Sequence, residues 1–219
     1  MTPPEKSFVF APRFNSPPDE ANLGGHDATG AFHPGMERYE RLYEGLGKQV
    51  VTFRFDNSRG QPAARRRQSI IDAMQRNAGS QRYDAIVYFG HGSPRGLLSA
   101  SFGEGALDAL SAAILQHCQP SVKVILYACC CAAPGGFAFK LAKQLGRWSH
   151  KGMAVLGHPT RGHSFRNPLV RRYPSDRGET GQTVCPDGMF ADWQHAMRGH
   201  AEFWALMPFM TTEELAAAL

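Results

Sequence analysis

Two apolar runs, each ending abruptly on a chemically capable residue, constrain this chain more than any other feature. One reads Ala85-Ile86-Val87-Tyr88-Phe89 and stops at Gly90-His91-Gly92. The other reads Val122-Lys123-Val124-Ile125-Leu126-Tyr127 and stops at Ala128-Cys129-Cys130-Cys131. Runs that are apolar throughout, rather than alternating, fit strands buried on both faces of a parallel sheet. A predicted helix carrying Leu107, Leu110 and Ile114 lies between them. Two parallel strands joined by a helix finish on the same edge, so His91 and Cys129 are expected to be neighbours there. A histidine beside a cysteine supplies a nucleophile and its base.

The rest of the chain repeats the alternation. Strands are expected at Ser7 to Ala11, Gln49 to Phe55 and Met153 to Leu156. Helical spacing links Met36, Tyr39, Tyr43 and Leu46, and also Phe137, Leu141, Leu145 and Trp148. A further helix runs from about Pro62 to Asn77. Strands alternating with helices predict an α/β fold, with a parallel sheet covered on both faces. The stretch from Pro12 to Gly35 reads as a Pro/Gly-rich loop. The segment from His158 to Met189, rich in Gly, Pro, Arg and His, reads as long loops. Residues from about Phe190 to Met207 look helical, and Thr211 with Glu214 suggests a capping box. The 219 residues suit one domain. Its core is expected over residues 5–160, with a loop-rich and helical extension over 161–219.

Five cysteines, three of them consecutive, do not suggest a disulfide framework. No apolar run approaches the roughly 20 residues needed to span a membrane. The first residues lack the pattern of a secretion signal. The expectation is a cytoplasmic protein with reduced thiols. The net charge of +5 is unevenly placed, with Arg65-Arg66-Arg67 on a helix and a group from Arg161 to Arg177. These read as a solvated helix face and a basic loop. Without interleaved aromatic residues they do not argue for nucleic acid.

In open parallel sheets, ligands bind outside the carboxyl ends of the strands. There His91 would take the thiol proton of Cys129, and the helix beginning near Gly135 would aim its positive end at the thiolate. The N–H groups of Gly92 and Cys129 would form an oxyanion hole. Strand alternation puts Cys129 and Cys131 on one face and Cys130 on the other. Competing chemistries have weaker support. His91, the cysteines, and His158 or His163 are soft ligands for zinc, yet no Cys-x-x-Cys or His-x-x-x-His pair occurs. No Walker or Gly-x-Gly-x-x-Gly sequence marks a nucleotide site, and no Gly-x-Ser-x-Gly elbow marks a serine hydrolase. His26, Asp27 and His33 fall in the first loop, which also follows a strand.

An apolar strand ending in His-Gly, followed by one ending in Ala-Cys, resembles the caspase-like (clan CD) cysteine peptidases. That group includes caspases, metacaspases, gingipains, clostripain, separase and the bacterial CHAT-type peptidases. The resemblance covers the order of elements from Ser7 to Leu156. It implies a caspase-like three-layer α/β/α fold with a mostly parallel central sheet. It also implies a cysteine endopeptidase that cleaves a protein or peptide substrate through a thioester, without cofactor or metal. Carried over, His91 is the catalytic histidine, Cys129 the nucleophile and Gly92 an oxyanion donor. Arg13 after the first strand and Arg161 after the fifth match the arginines with which caspases receive an acidic side chain. Tyr127 and Cys131 stand where the caspase signature has Gln and Gly, which suits a divergent bacterial or phage member. The alternatives are a catalytically inactive caspase-like module that binds a protein partner, or a metal- or nucleotide-binding α/β protein.

Overall fold

A computed structural model describes residues 3–15, 32–147, 152–162, 170–175 and 182–183. In chain order the elements are β1 (Lys6–Pro12), α1 (Phe32–Gly45), β2 (Gln49–Phe55), α2 (Ala63–Ala78) and β3 (Tyr83–Phe89). Three short strands follow: β4 (Gly92–Ser93), β5 (Gly96–Leu97) and β6 (Phe102–Gly103). Then come α3 (Leu107–His117), β7 (Cys118–Tyr127), α4 (Phe137–Gly146), β8 (Ala154–Gly157), β9 (Arg171–Pro174) and β10 (Gln182–Thr183).

The main sheet has the order β10-β9-β8-β7-β3-β1-β2. Strands β8, β7, β3, β1 and β2 are mutually parallel, while β9 and β10 are antiparallel additions at one edge. Each central strand sends alternate residues to opposite faces, as a period of two requires. Phe8, Phe10, Ile86, Tyr88, Val124, Leu126 and Val155 pack with α2, α3 and α4. Val9, Ala11, Val87, Phe89, Ile125, Tyr127 and Leu156 pack with α1. The result is a mixed α/β, three-layer fold with two apolar cores back to back, which explains why the strands read as uninterrupted apolar runs.

Two polar side chains of β1 are satisfied within these cores. The Ser7 and Tyr39 hydroxyls lie 3.0 Å apart. Lys6 is 3% exposed and donates from Nζ to the carbonyls of Asn77, Ala78 and Gln81 at 2.9, 2.6 and 3.2 Å. Two of these are carbonyls of the last turn of α2, which the helix itself leaves unsatisfied.

Several boundaries differ from the sequence expectation. Helix α1 starts at Phe32, inside the stretch read as loop, and it includes His33. Leu46 lies beyond its end and is exposed. Strand β7 begins at Cys118, directly after α3. The segment read as loops after His158 contains β9 and β10, so the sheet continues past residue 160. A second sheet, β4-β5-β6, was not expected. Arg65 is exposed, but Arg66 and Arg67 are half-buried, because both guanidinium groups bond to the segment between β5 and β6. Cys185, His163, Trp148, His26, Asp27, Arg166, Arg177 and the helices expected after Phe190 lie outside the described residues. No helix among the described residues is long and apolar enough to cross a membrane.

Candidate active site

The ladder between β3 and β7 places Phe89 opposite Tyr127. It extends one step further, with the Gly90 N–H donating to the Tyr127 carbonyl at 3.4 Å. His91 and Cys129 each stand two residues beyond that last pair, on adjacent strands, at the carboxyl edge of the sheet. Arg13 follows β1 and Arg161 follows β8, and both are exposed. Because the strand order is β8-β7-β3-β1, the edge reads Arg161, Cys129, His91, Arg13. All of the site residues expected from the sequence are thus brought to one edge.

Glycines on both sides of His91 make the close approach possible. A Cβ on Gly90 would collide with the Tyr88 phenol. That phenol folds back so that its hydroxyl donates to the His91 carbonyl at 3.0 Å. A Cβ on Gly92 would stand 2.7 Å from the Cβ of Ala128 and 2.9 Å from the Cys129 carbonyl oxygen. The Leu98 N–H also donates to the His91 carbonyl, at 2.9 Å. His91 and Leu98 therefore form a hydrogen-bonded position of the β4–β5 hairpin. The next pair, Gly92 with Leu97, is the alternate kind, whose N–H groups turn away from the partner strand. The Gly92 N–H is thus directed out of the hairpin. The His91 N–H is not available for an oxyanion, since it donates to Ser99 Oγ at 3.2 Å. The imidazole meets the Phe32 ring edge-on, at 4.9 Å between centroids and 90° between planes.

The three cysteines are separated by a turn rather than by strand alternation. Strand β7 ends at Tyr127, and the chain then tightens, with the Ala128 N–H donating to the Leu126 carbonyl at 2.8 Å. Cys130 takes the left-handed conformation, φ 57°, which is uncommon for a residue with a side chain. Cys129 and Cys131 consequently do not share a setting, contrary to the expectation of a common face. Cys131 is fully buried, its thiol donates to the Ala128 carbonyl at 3.2 Å, and burial pushes its pKa up to about 12. Cys129 and Cys130 are half-buried. Burial also pushes the Cys118 thiol up, on the far side of the sheet from this edge.

The Cys129 thiol donates to the Gly162 carbonyl at 3.2 Å. The loop after β8 also accepts the Cys130 N–H at Thr160 (3.0 Å) and the Ala132 N–H at His158 (3.1 Å). No main-chain acceptor for the Cys129 N–H occurs among the described residues. At the start of helix α4 the Ala138 N–H donates to the Cys131 carbonyl at 2.9 Å. His33 lies at the same edge, with Nε2 2.6 Å from the Pro12 carbonyl oxygen. No cluster of three metal-binding side chains occurs among the described residues. His158 is buried at the end of β8, with its ring 6.1 Å from that of Tyr127.

Ser99, Tyr88, Phe32 and Gly162 are the parts of the site that sequence reasoning missed. Only Tyr88 carried a signal, as the aromatic residue two positions before a glycine that cannot bear a side chain. No protein-family model, curated protein or solved structure matches this chain.

Proposed function

We propose that this protein is a caspase-like cysteine endopeptidase acting through His91 and Cys129. The observation that carries the reading is the register. Two strands that are hydrogen-bonded neighbours end in phase, one on His91 and the other on Cys129, with Gly92 wedged against the Cys129 main chain. In the reaction the Cys129 proton passes to the imidazole as the sulfur attacks the scissile carbonyl carbon. The carbonyl oxygen becomes anionic beside the Gly92 and Cys129 N–H groups. Collapse breaks the C–N bond, the imidazolium protonates the departing amine, and water then hydrolyses the thioester. The exposed guanidinium groups of Arg13 and Arg161, on the strands flanking this pair, favour an acidic side chain in the substrate. No cofactor or metal takes part in these steps.

The hydrogen bond from the Cys129 thiol to Gly162 favours a second reading. The sulfur is then engaged with the main chain of the loop after β8 rather than with the imidazole, as suits a catalytically inactive module that binds a protein partner. A peptide carrying a thiol-reactive electrophile separates the two. The peptidase reading expects labelling of the wild type at Cys129, and none at that position in Cys129→Ala or His91→Ala. Equal labelling of the wild type and Cys129→Ala would remove Cys129 from the role. Absence of labelling in the wild type would favour the binding module.

A further inference from the structure

His91 lies beyond the last rung of the β3–β7 ladder, so the sheet alone does not fix it. Its main chain is gripped instead by residues 98–101 and by Tyr88. The Leu98 N–H and the Tyr88 hydroxyl both donate to its carbonyl, and its N–H donates to Ser99 Oγ. Ser99 is 8% exposed. This short segment is pinned from outside by α2. Arg66 Nη1 donates to the Ser99 carbonyl at 3.1 Å and to the Ser101 hydroxyl at 3.0 Å. Its Nη2 donates to the Gln61 carbonyl at 3.4 Å. Arg67 Nη1 donates to the Ser101 carbonyl at 3.0 Å. Ser101 holds a left-handed conformation, φ 60°. A strained position of this kind persists only where its surroundings over-determine it, and here two guanidinium groups do so.

We infer that Ser99 and Arg66 are positioning residues for His91. The inference rests on the reading of His91 as the base for Cys129. Arg66 fixes the turn, the turn fixes the Ser99 hydroxyl, and the hydroxyl sets the peptide from which the imidazole hangs. An error of about 1 Å in such a group is able to lower a rate on the order of a hundred-fold. The arrangement also gives α2 a part in the site, through the segment between β5 and β6.

The test is the pH dependence of Cys129 alkylation by iodoacetamide, read by fragment mass spectrometry that distinguishes Cys129 from Cys130. It is run on the wild type, His91→Ala, Ser99→Ala, Ser99→Thr, Arg66→Gln and Arg66→Lys. Thermal unfolding of each variant accompanies it. The expected result is a Ser99→Ala profile displaced toward that of His91→Ala, with the rate at neutral pH lowered about ten-fold. Ser99→Thr, which keeps the hydroxyl, restores the wild-type profile. Arg66→Gln follows Ser99→Ala, and Arg66→Lys falls between. A purely structural role would lower the unfolding temperature and leave the pH profile in place. A wild-type profile in Ser99→Ala and Arg66→Gln, beside a displaced profile in His91→Ala, overturns the positioning role alone. A wild-type profile in His91→Ala overturns the dyad and the positioning role together. If Ser99→Ala does not fold, the two Arg66 variants decide.

Discussion

Gly92 and Cys129 are packed so closely that one methyl group does not fit between them. A Cβ on Gly92 would lie 2.9 Å from the Cys129 carbonyl oxygen and 2.7 Å from the neighbouring Ala128 Cβ. Both obstacles belong to the turn that presents the thiol, so neither moves without moving the sulfur. Gly92→Ala is therefore expected to lower the rate of Cys129 labelling by a peptide electrophile about ten-fold or more, while the unfolding temperature falls by only a few degrees. A large loss of stability with an unchanged labelling rate in the folded fraction would show that the contact serves packing alone.

The turn after β7 predicts a graded response to substitution at Cys130. A left-handed φ suits glycine and resists a β-branched side chain. Cys130→Gly should be at least as stable as the wild type. Cys130→Val should be less stable by roughly 1–3 kcal/mol, as for other strained backbone positions. Urea unfolding of the two variants checks this, and equal midpoints would contradict it. Because Cys130 is not assigned to the chemistry, Cys130→Gly should keep the reactivity of Cys129.

Thiol accessibility should divide the cysteines. At pH 8 iodoacetamide is expected to modify Cys129 and Cys130 in the native protein, but not Cys118 or Cys131, which are buried. The last two also make stability depend on alkaline pH. Burial raises the Cys131 pKa from an ordinary 9.0 to about 12. The native state then keeps a proton that the unfolded chain releases. The unfolded state binds fewer protons across that window, so stability falls as pH rises from about 9 toward 12. Each such group contributes at most about 1.4 kcal/mol per pH unit. Urea midpoints measured from pH 8 to 11 should decline, and the decline should be shallower in Cys131→Ala. A slope unchanged by that substitution would count against the assignment.

Lys6 offers a test remote from the site. Its ammonium closes the end of α2 through three carbonyl oxygens. Lys6→Met keeps most of the volume and leaves those acceptors without their donor. The expected cost is on the order of 2–4 kcal/mol, since several charge-assisted hydrogen bonds are lost at once. A lower denaturant midpoint with an unchanged slope would confirm it.

The parts legible in the sequence are those governed by long apolar patterns. Strands β1, β3, β7 and β8 are buried on both faces, so their runs are continuous and their ends abrupt. Tyr39 with Tyr43, and Leu141 with Leu145, mark α1 and α4 because a helix stripe repeats over several turns. His91 and Cys129 were found because each terminates such a run. The missed pieces have no period to read. Strands β4, β5 and β6 are two residues each, and β9 carries Arg171 and Arg172, which suggest a loop until β8 is seen to pair with them. The left-handed turn at Cys130 depends on bonds from the loop after β8, far along the chain. Arg66 and Arg67 look like a solvated helix face because their acceptors, the main-chain oxygens of Ser99 and Ser101, have no signature in the sequence.

The ladder between β3 and β7 is uneven in one place, at its amino end. Tyr83 faces Cys118, yet Ala85 already faces Lys123. Strand β7 passes through Gln119, Pro120, Ser121 and Val122 while β3 supplies only Asp84. From Ala85 to Phe89 the pairing then runs without a slip to the residues that precede His91 and Cys129. The mismatch in length is taken up at the rim where no chemistry is assigned. Evolution therefore has latitude at one rim and almost none at the other. A residue gained or lost around Pro120 leaves the two strand tips aligned, whereas a single insertion between Lys123 and Cys129 would put them out of step.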